Sequence, residues 1–96
     1  MHAVVRTYTG PGAKELMDLI VEKQGEIEGL IRGVSGFVSY VLVQTGDGGA
    51  TVTVCQDTSG TDESLQVARD WVAANGAHLG AAAPTVSEGD VGLHWN

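Results

Sequence analysis

The apolar positions of this chain change their period several times, and each change marks an element. Residues 2 to 9, His-Ala-Val-Val-Arg-Thr-Tyr-Thr, are rich in β-branched and aromatic types and stop at Gly10-Pro11-Gly12, which predicts a strand closed by a turn. From Ala13 to Arg32 the residues Leu16, Leu19, Ile20, Ile27, Leu30 and Ile31 recur at steps of three and four, with acids mostly on the other faces. That is the pattern of one amphipathic helix. Gly33 stands where a C-terminal cap belongs, and Gly36 to Gln44 reads as a second strand. Thr45-Gly46-Asp47-Gly48-Gly49 offers glycines for the positive φ angles of a tight reversal, so Ala50 to Asp57 is expected back as an antiparallel partner. Hydroxyls and acids over Thr58 to Glu63 predict a second helix from near Thr61 to Asn75-Gly76. Gly76 to Ala83 is small and apolar, a loop expected to lie against the body, and Pro84 precedes a last strand over Thr85 to Trp95.

The order β-α-β-β-α-β predicts an α+β, ferredoxin-like fold: a four-stranded antiparallel sheet with two helices on one face, forming a single domain over 1–96. Two helices leave the other face open. That face would carry Val41, Val43, Thr53 and Cys55 or, with the register slipped by one, Val38, Leu42, Val52 and Val54. Either set is too apolar for water, so the chain is expected to form a homodimer through the open sheet face, as a dimeric α/β barrel.

Composition narrows the partners. Five Lys and Arg against twelve Asp and Glu leave a formal charge of -7, which argues against nucleic acid and anionic membrane, because phosphate binding needs clustered cations. Cys55 is the only cysteine, so no internal disulfide is possible and a cytoplasmic location is expected. The first residues lack the charged-then-apolar layout of a signal peptide, and no apolar run approaches the roughly 20 residues of a membrane span.

The strand ending in Gly10-Pro11-Gly12, the passage Ile31-Arg32-Gly33-Val34-Ser35 into Gly36-Phe37-Val38-Ser39-Tyr40, and the hairpin before Thr51-Val52-Thr53-Val54 together resemble the antibiotic biosynthesis monooxygenase-like branch of the dimeric α/β-barrel proteins. The likeness spans nearly the whole chain, but it lies in element order and a Gly-aromatic-x-Ser-Tyr strand rather than in a catalytic motif. It implies a cleft between sheet and helices that holds an aromatic or tetrapyrrole substrate, oxygenated in some members without a separate cofactor. Trp71 matches a tryptophan that recurs there on the second helix. Haem-degrading members pair it with a later histidine and a first-strand asparagine; here that strand has no asparagine and His78 falls past the helix end, so haem degradation is not expected. Cys55-Gln56-Asp57 replaces the usual Trp-Glu pair, which marks a divergent member.

Trp71 sits about 90° off the inward face of Leu65, Ala68 and Val72, on a second stripe with Val67 and Ala74. A residue so placed either packs or lines a ligand cleft. His2, Val4, Arg6 and Tyr8 share one face of the first strand, and a last strand beside it would bring His94 near His2, as a strand-end pair or the start of a metal or acid–base site needing a third ligand such as Glu88 or Asp90. Arg6 on a covered face must find an anion, either a carboxylate such as Asp57 or Glu88 or an acidic ligand. Tyr40 and Tyr8 are ordinary sheet residues or donors to a bound carbonyl or phenol. Cys55 reads as a buried, inert thiol. Gly25 and Gly29 inside the first helix each cost up to about 1 kcal/mol against alanine, so they ask for close helix–sheet approach or room for a ligand.

The expected function is binding of a small aromatic metabolite by Trp71, Arg6, Tyr40, Tyr8 and His94, with cofactor-independent monooxygenation as the chemistry and no catalytic base identified. The alternatives are a non-enzymatic binding or structural homodimer, or a subunit of a larger assembly contacted through Val67, Trp71 and Ala74.

Overall fold

Strand β1 (His2–Tyr8) is central, pairing antiparallel with β3 (Gly48–Cys55) on one side and β4 (Thr85–Asp90) on the other, while β2 (Phe37–Thr45) completes the sheet beyond β3. The computed structural model describes residues 1–96. Helices α1 (Ala13–Glu22), α2 (Gln24–Arg32) and α3 (Thr58–Asn75) complete it, with a 3-10 turn over Ala77–Leu79. The sheet order β2-β3-β1-β4 is that of the expected split βαβ arrangement.

Alternation along β1 sorts the two faces. His2, Val4, Arg6 and Tyr8 are buried against the helices, and their partners Cys55, Thr53, Thr51 and Gly49 face the same way. The core forms where Leu16, Met17 and Ile20 of α1 meet Tyr8 and Trp71. Burial of each such side chain contributes about 1.5–3 kcal/mol. Close approach is possible because Gly49 lacks a side chain: a Cβ there would lie 2.8 Å from Met17 Cγ. The loop after α3 does lie against the body, with Leu79 and Ala81 packed on the core. No helix is long and apolar enough to cross a membrane.

Four expectations change. The long first helix breaks at Lys23 (φ -97°, ψ 25°) into α1 and α2. The second helix starts earlier, at Thr58, because the Asp57 carboxylate caps it by accepting from Ser59 N at 3.1 Å. The last strand ends at Asp90 rather than Trp95, since Asp90 already pairs with His2 and β1 offers nothing further beyond the Val91 N–H to Met1 carbonyl bond. The hairpin uses no positive φ: the left-handed glycines are Gly10, Gly12, Gly36 and Gly80.

Both versions of the open face are also corrected. The hairpin loop is the two residues Gly46 and Asp47, so Thr45 pairs with Gly48 and odd positions of β2 oppose even positions of β3. Val41 and Val43 therefore share the open face with Val52 and Val54, whereas Thr53, Cys55 and Leu42 turn toward the helices. Val38 falls at the β-bulge between Phe37 and Ser39.

The glycines of α2 show no close approach, as an added Cβ at Gly25 or Gly29 meets nothing within 4 Å. Gly60 is the opposite case, where a Cβ would run into the Ser35 carbonyl and lie 2.8 Å from Cys55 Cβ. Gly29→Ala should therefore stabilise by about 0.5–1 kcal/mol and Gly60→Ala should destabilise by more than about 1 kcal/mol in urea unfolding.

Candidate functional site

The break at Lys23 shapes the site. Before it, α1 buries Ala13, Leu16, Met17 and Ile20 against the sheet. After it, α2 buries only Ile31, and the helix stands off β2. The space between them is a cleft of about 540 Å³, within the size range of small-molecule sites. Ile20, Ile27 and Ile31 form its helical wall, Phe37, Tyr40 and Leu42 its strand wall, and Gln24, Glu28, Arg32 and Gln44 supply polar groups. Arg32 stacks over the Phe37 ring at 5.6 Å and is tied to Glu28 at 2.8 Å, which fixes one side of the wall.

Deeper in, a chamber of only about 20 Å³ shares Ile20, Ile27, Ile31 and Tyr40 with the cleft and adds Arg6, Tyr8, Thr51 and Trp71. Such a volume admits one or two ligand atoms or a water. Four of the five expected site residues thus meet around one point.

Their chemistry differs from residue to residue. Trp71 is 5% exposed, and its indole N–H donates to Glu26 Oε1 at 2.8 Å, so it packs while pinning α2 to α3. Of the stripe with Val67 and Ala74, it is the buried member, Val67 being half-buried and Ala74 exposed. Burial pushes the phenol pKa values of Tyr8 and Tyr40 up, and the nearby Arg6 charge offsets part of that rise. Both phenols are neutral hydrogen-bond donors at physiological pH. Arg6 is 3% exposed; its Nε donates to Thr51 Oγ1 at 3.0 Å and its Nη1 to the Ser64 carbonyl at 3.4 Å. Neither Asp57 nor Glu88 pairs with it, and no carboxylate lies within 4.0 Å of the guanidinium. The Tyr40 hydroxyl also stands within hydrogen-bonding influence of Arg6, so the partners of the guanidinium are neutral oxygens and none is an anion.

His94 is not part of this site. It lies on the opposite face of the sheet, 3.4 Å from Ser39 Oγ, because the chain leaves β4 and crosses the end of the open face. His2 stays on the helix side, with Nδ1 2.7 Å from Thr61 Oγ1 and Nε2 3.6 Å from Glu88, so the two histidines form no pair. Cys55 is buried, and desolvation together with the charges of Asp57 and Glu63 pushes its thiol pKa up, as suits an inert residue. Glu26, Ile27 and Gln44 are not among the expected site residues: the first two take their places from where the helix breaks, and Gln44 reaches the cleft from β2.

An unneutralised guanidinium in the interior is a cost to folding. Arg6→Met, of similar length and apolar, should raise stability by about 1–2 kcal/mol in urea unfolding of the ligand-free protein. A loss of that size would mark Arg6 as a net structural contributor.

No protein-family model matches this chain, and no curated protein does. Solved structures do. A protein of unknown function from Nitrosomonas europaea matches with a TM-score of 0.71 at 17% identity, over 99% of this chain and 91% of that one. A protein from Chloroflexus aurantiacus, named provisionally as an antibiotic biosynthesis monooxygenase, matches at 0.61 and 24% identity, over 98% and 96%. A monooxygenase from Streptomyces coelicolor, in complex with nanaomycin D, matches at 0.55 and 21% identity, over 99% and 91%. At these identities the likeness is one of fold: this chain has the ferredoxin-like sheet-and-helix arrangement of the antibiotic biosynthesis monooxygenase-like proteins.

Proposed function

We propose that this chain binds a small aromatic metabolite in the cleft between α2 and β2 and oxygenates it with dioxygen, using no separate cofactor. The observation that carries this reading is the cleft itself: about 540 Å³, walled by isoleucines and the Phe37 and Tyr40 rings, leading inward to phenol and guanidinium donors. An electron-rich ring would supply the electrons. At a ring CH2, dioxygen is reduced as the carbon becomes a carbonyl, one oxygen atom staying in the product and the other leaving as water. The protein's part is to orient the ring, exclude solvent and place donors where negative charge develops. The fold is shared with a monooxygenase that holds nanaomycin D, which supports the substrate class by analogy of architecture.

A quinol and anthrone panel tests both halves. Ligands of the right class should raise the melting temperature, and at about 100-fold over Kd the stabilisation is about 2.7 kcal/mol. Oxygen uptake should accompany at least one of them. Ile27→Trp, which fills the cleft from its helical wall, should abolish both effects while the protein stays folded. If the panel produces neither a melting shift nor oxygen consumption, the reading is wrong.

The assembly that goes with this reading is a homodimer closed through the open sheet face. By register that face carries Ala3, Val5, Val41, Val43 and Val52 and not one charged residue, in a chain whose net charge is -7. Two such chains repel everywhere except there. Val41 and Val43 remain 53% and 49% exposed. The face projects only about 400 Å², short of the roughly 800 Å² per partner of a stable interface. Leu93 and Trp95, 76% and 84% exposed on the tail beside it, supply the difference. Sedimentation of the wild type should show a dimer that tightens with salt, and Val41→Asp should yield a folded monomer. A monomeric wild type at micromolar protein would sink the dimer.

A further inference from the structure

We infer that the ligand of this cleft is an aromatic carboxylate, bound with its carboxylate in the inner chamber against Arg6. The inference rests on the cleft being a ligand site and adds the charge of what fills it. Arg6 is buried to 97% of its surface, being 3% exposed, yet meets no carboxylate of its own chain within 4.0 Å. The protein has twelve acidic residues and only three arginines, so an internal partner was available and is not used. An interior cation in that position needs a counter-charge from elsewhere.

The chamber's size decides how that charge arrives. At about 20 Å³ it cannot hold a ring, but it can hold the end of a carboxylate group whose ring remains in the 540 Å³ cleft. Tyr40 lines both spaces, and its phenol stays protonated because burial raises its pKa, so it adds a neutral donor rather than a competing negative charge. Planar guanidinium donors and a planar carboxylate match each other in paired geometry, which a neutral amide or alcohol of the same shape does not reproduce. Arg6 is then a specificity-determining residue, and the lone negative charge of the ligand replaces the missing internal partner.

Titration calorimetry with 2-naphthoate and its neutral isostere 2-naphthamide tests this on the intact protein. Wild type should bind the naphthoate at least 10-fold tighter than the amide, and Arg6→Met should lose that preference while still binding the amide. Arg6→Lys, which keeps the charge but not the paired geometry, should retain part of the preference, and it serves should the methionine variant fail to fold. Equal affinity for the two probes in wild type would overturn the carboxylate inference and leave the cleft intact. Binding of neither would overturn the cleft and this inference together. A preference unchanged in both variants would place the anion contact elsewhere and refute the role of Arg6.

Discussion

The packing of α1 on the sheet is the interaction on which the rest depends. Leu16, Met17 and Ile20 are driven onto Tyr8, and the absence of a side chain at Gly49 allows Met17 to approach the strand. Everything after Lys23 is set by contrast with that contact. With α1 seated and the chain interrupted at Lys23, α2 buries only Ile31. A continuous helix would have carried Ile27 and Leu30 onward along the same seam. The interruption instead leaves a hollow over β2, bridged at the far side by the hydrogen bond from Trp71 to Glu26.

Much of the fold was legible because hydrophobic period reports which side of an element is buried. The order of elements along the chain follows from that periodicity and from the turn residues, the sheet order is that of the split βαβ arrangement, and the solved structures share the resulting fold. The errors came where a single residue changes the outcome. Nothing in Glu22-Lys23-Gln24 announces a helix break, since none of these residues is a breaker. The open face depends on whether the hairpin loop holds an even or odd number of residues, which a run of three glycines around Asp47 leaves ambiguous.

The site was legible in its residue types and less so in their placement. Arg6, Tyr8, Tyr40 and Trp71 converge because alternation on β1, the register to β3 and the inward turn of α3 all point to one spot. His94 did not join them because the last strand stops at Asp90, a consequence of β1 running out of partners rather than of any local signal. The unpaired state of Arg6 was beyond sequence reasoning, as both candidate carboxylates are near in the chain's topology and are turned to other partners: Asp57 to the start of α3, Glu88 toward His2.

The two tryptophans end up in opposite surroundings, one enclosed between helices with its N–H bonded and the other standing in water at 84% exposure. The molecule thereby carries two built-in fluorophores that report on different regions. Emission from Trp71 should lie toward the blue and follow the interior, while emission from Trp95 should lie toward the red and yield to a collisional quencher such as iodide in the dissociated chain, and shift to the blue where the dimer covers it. Selective replacement of either indole by phenylalanine would turn the protein into a single-channel optical sensor of one face or the other.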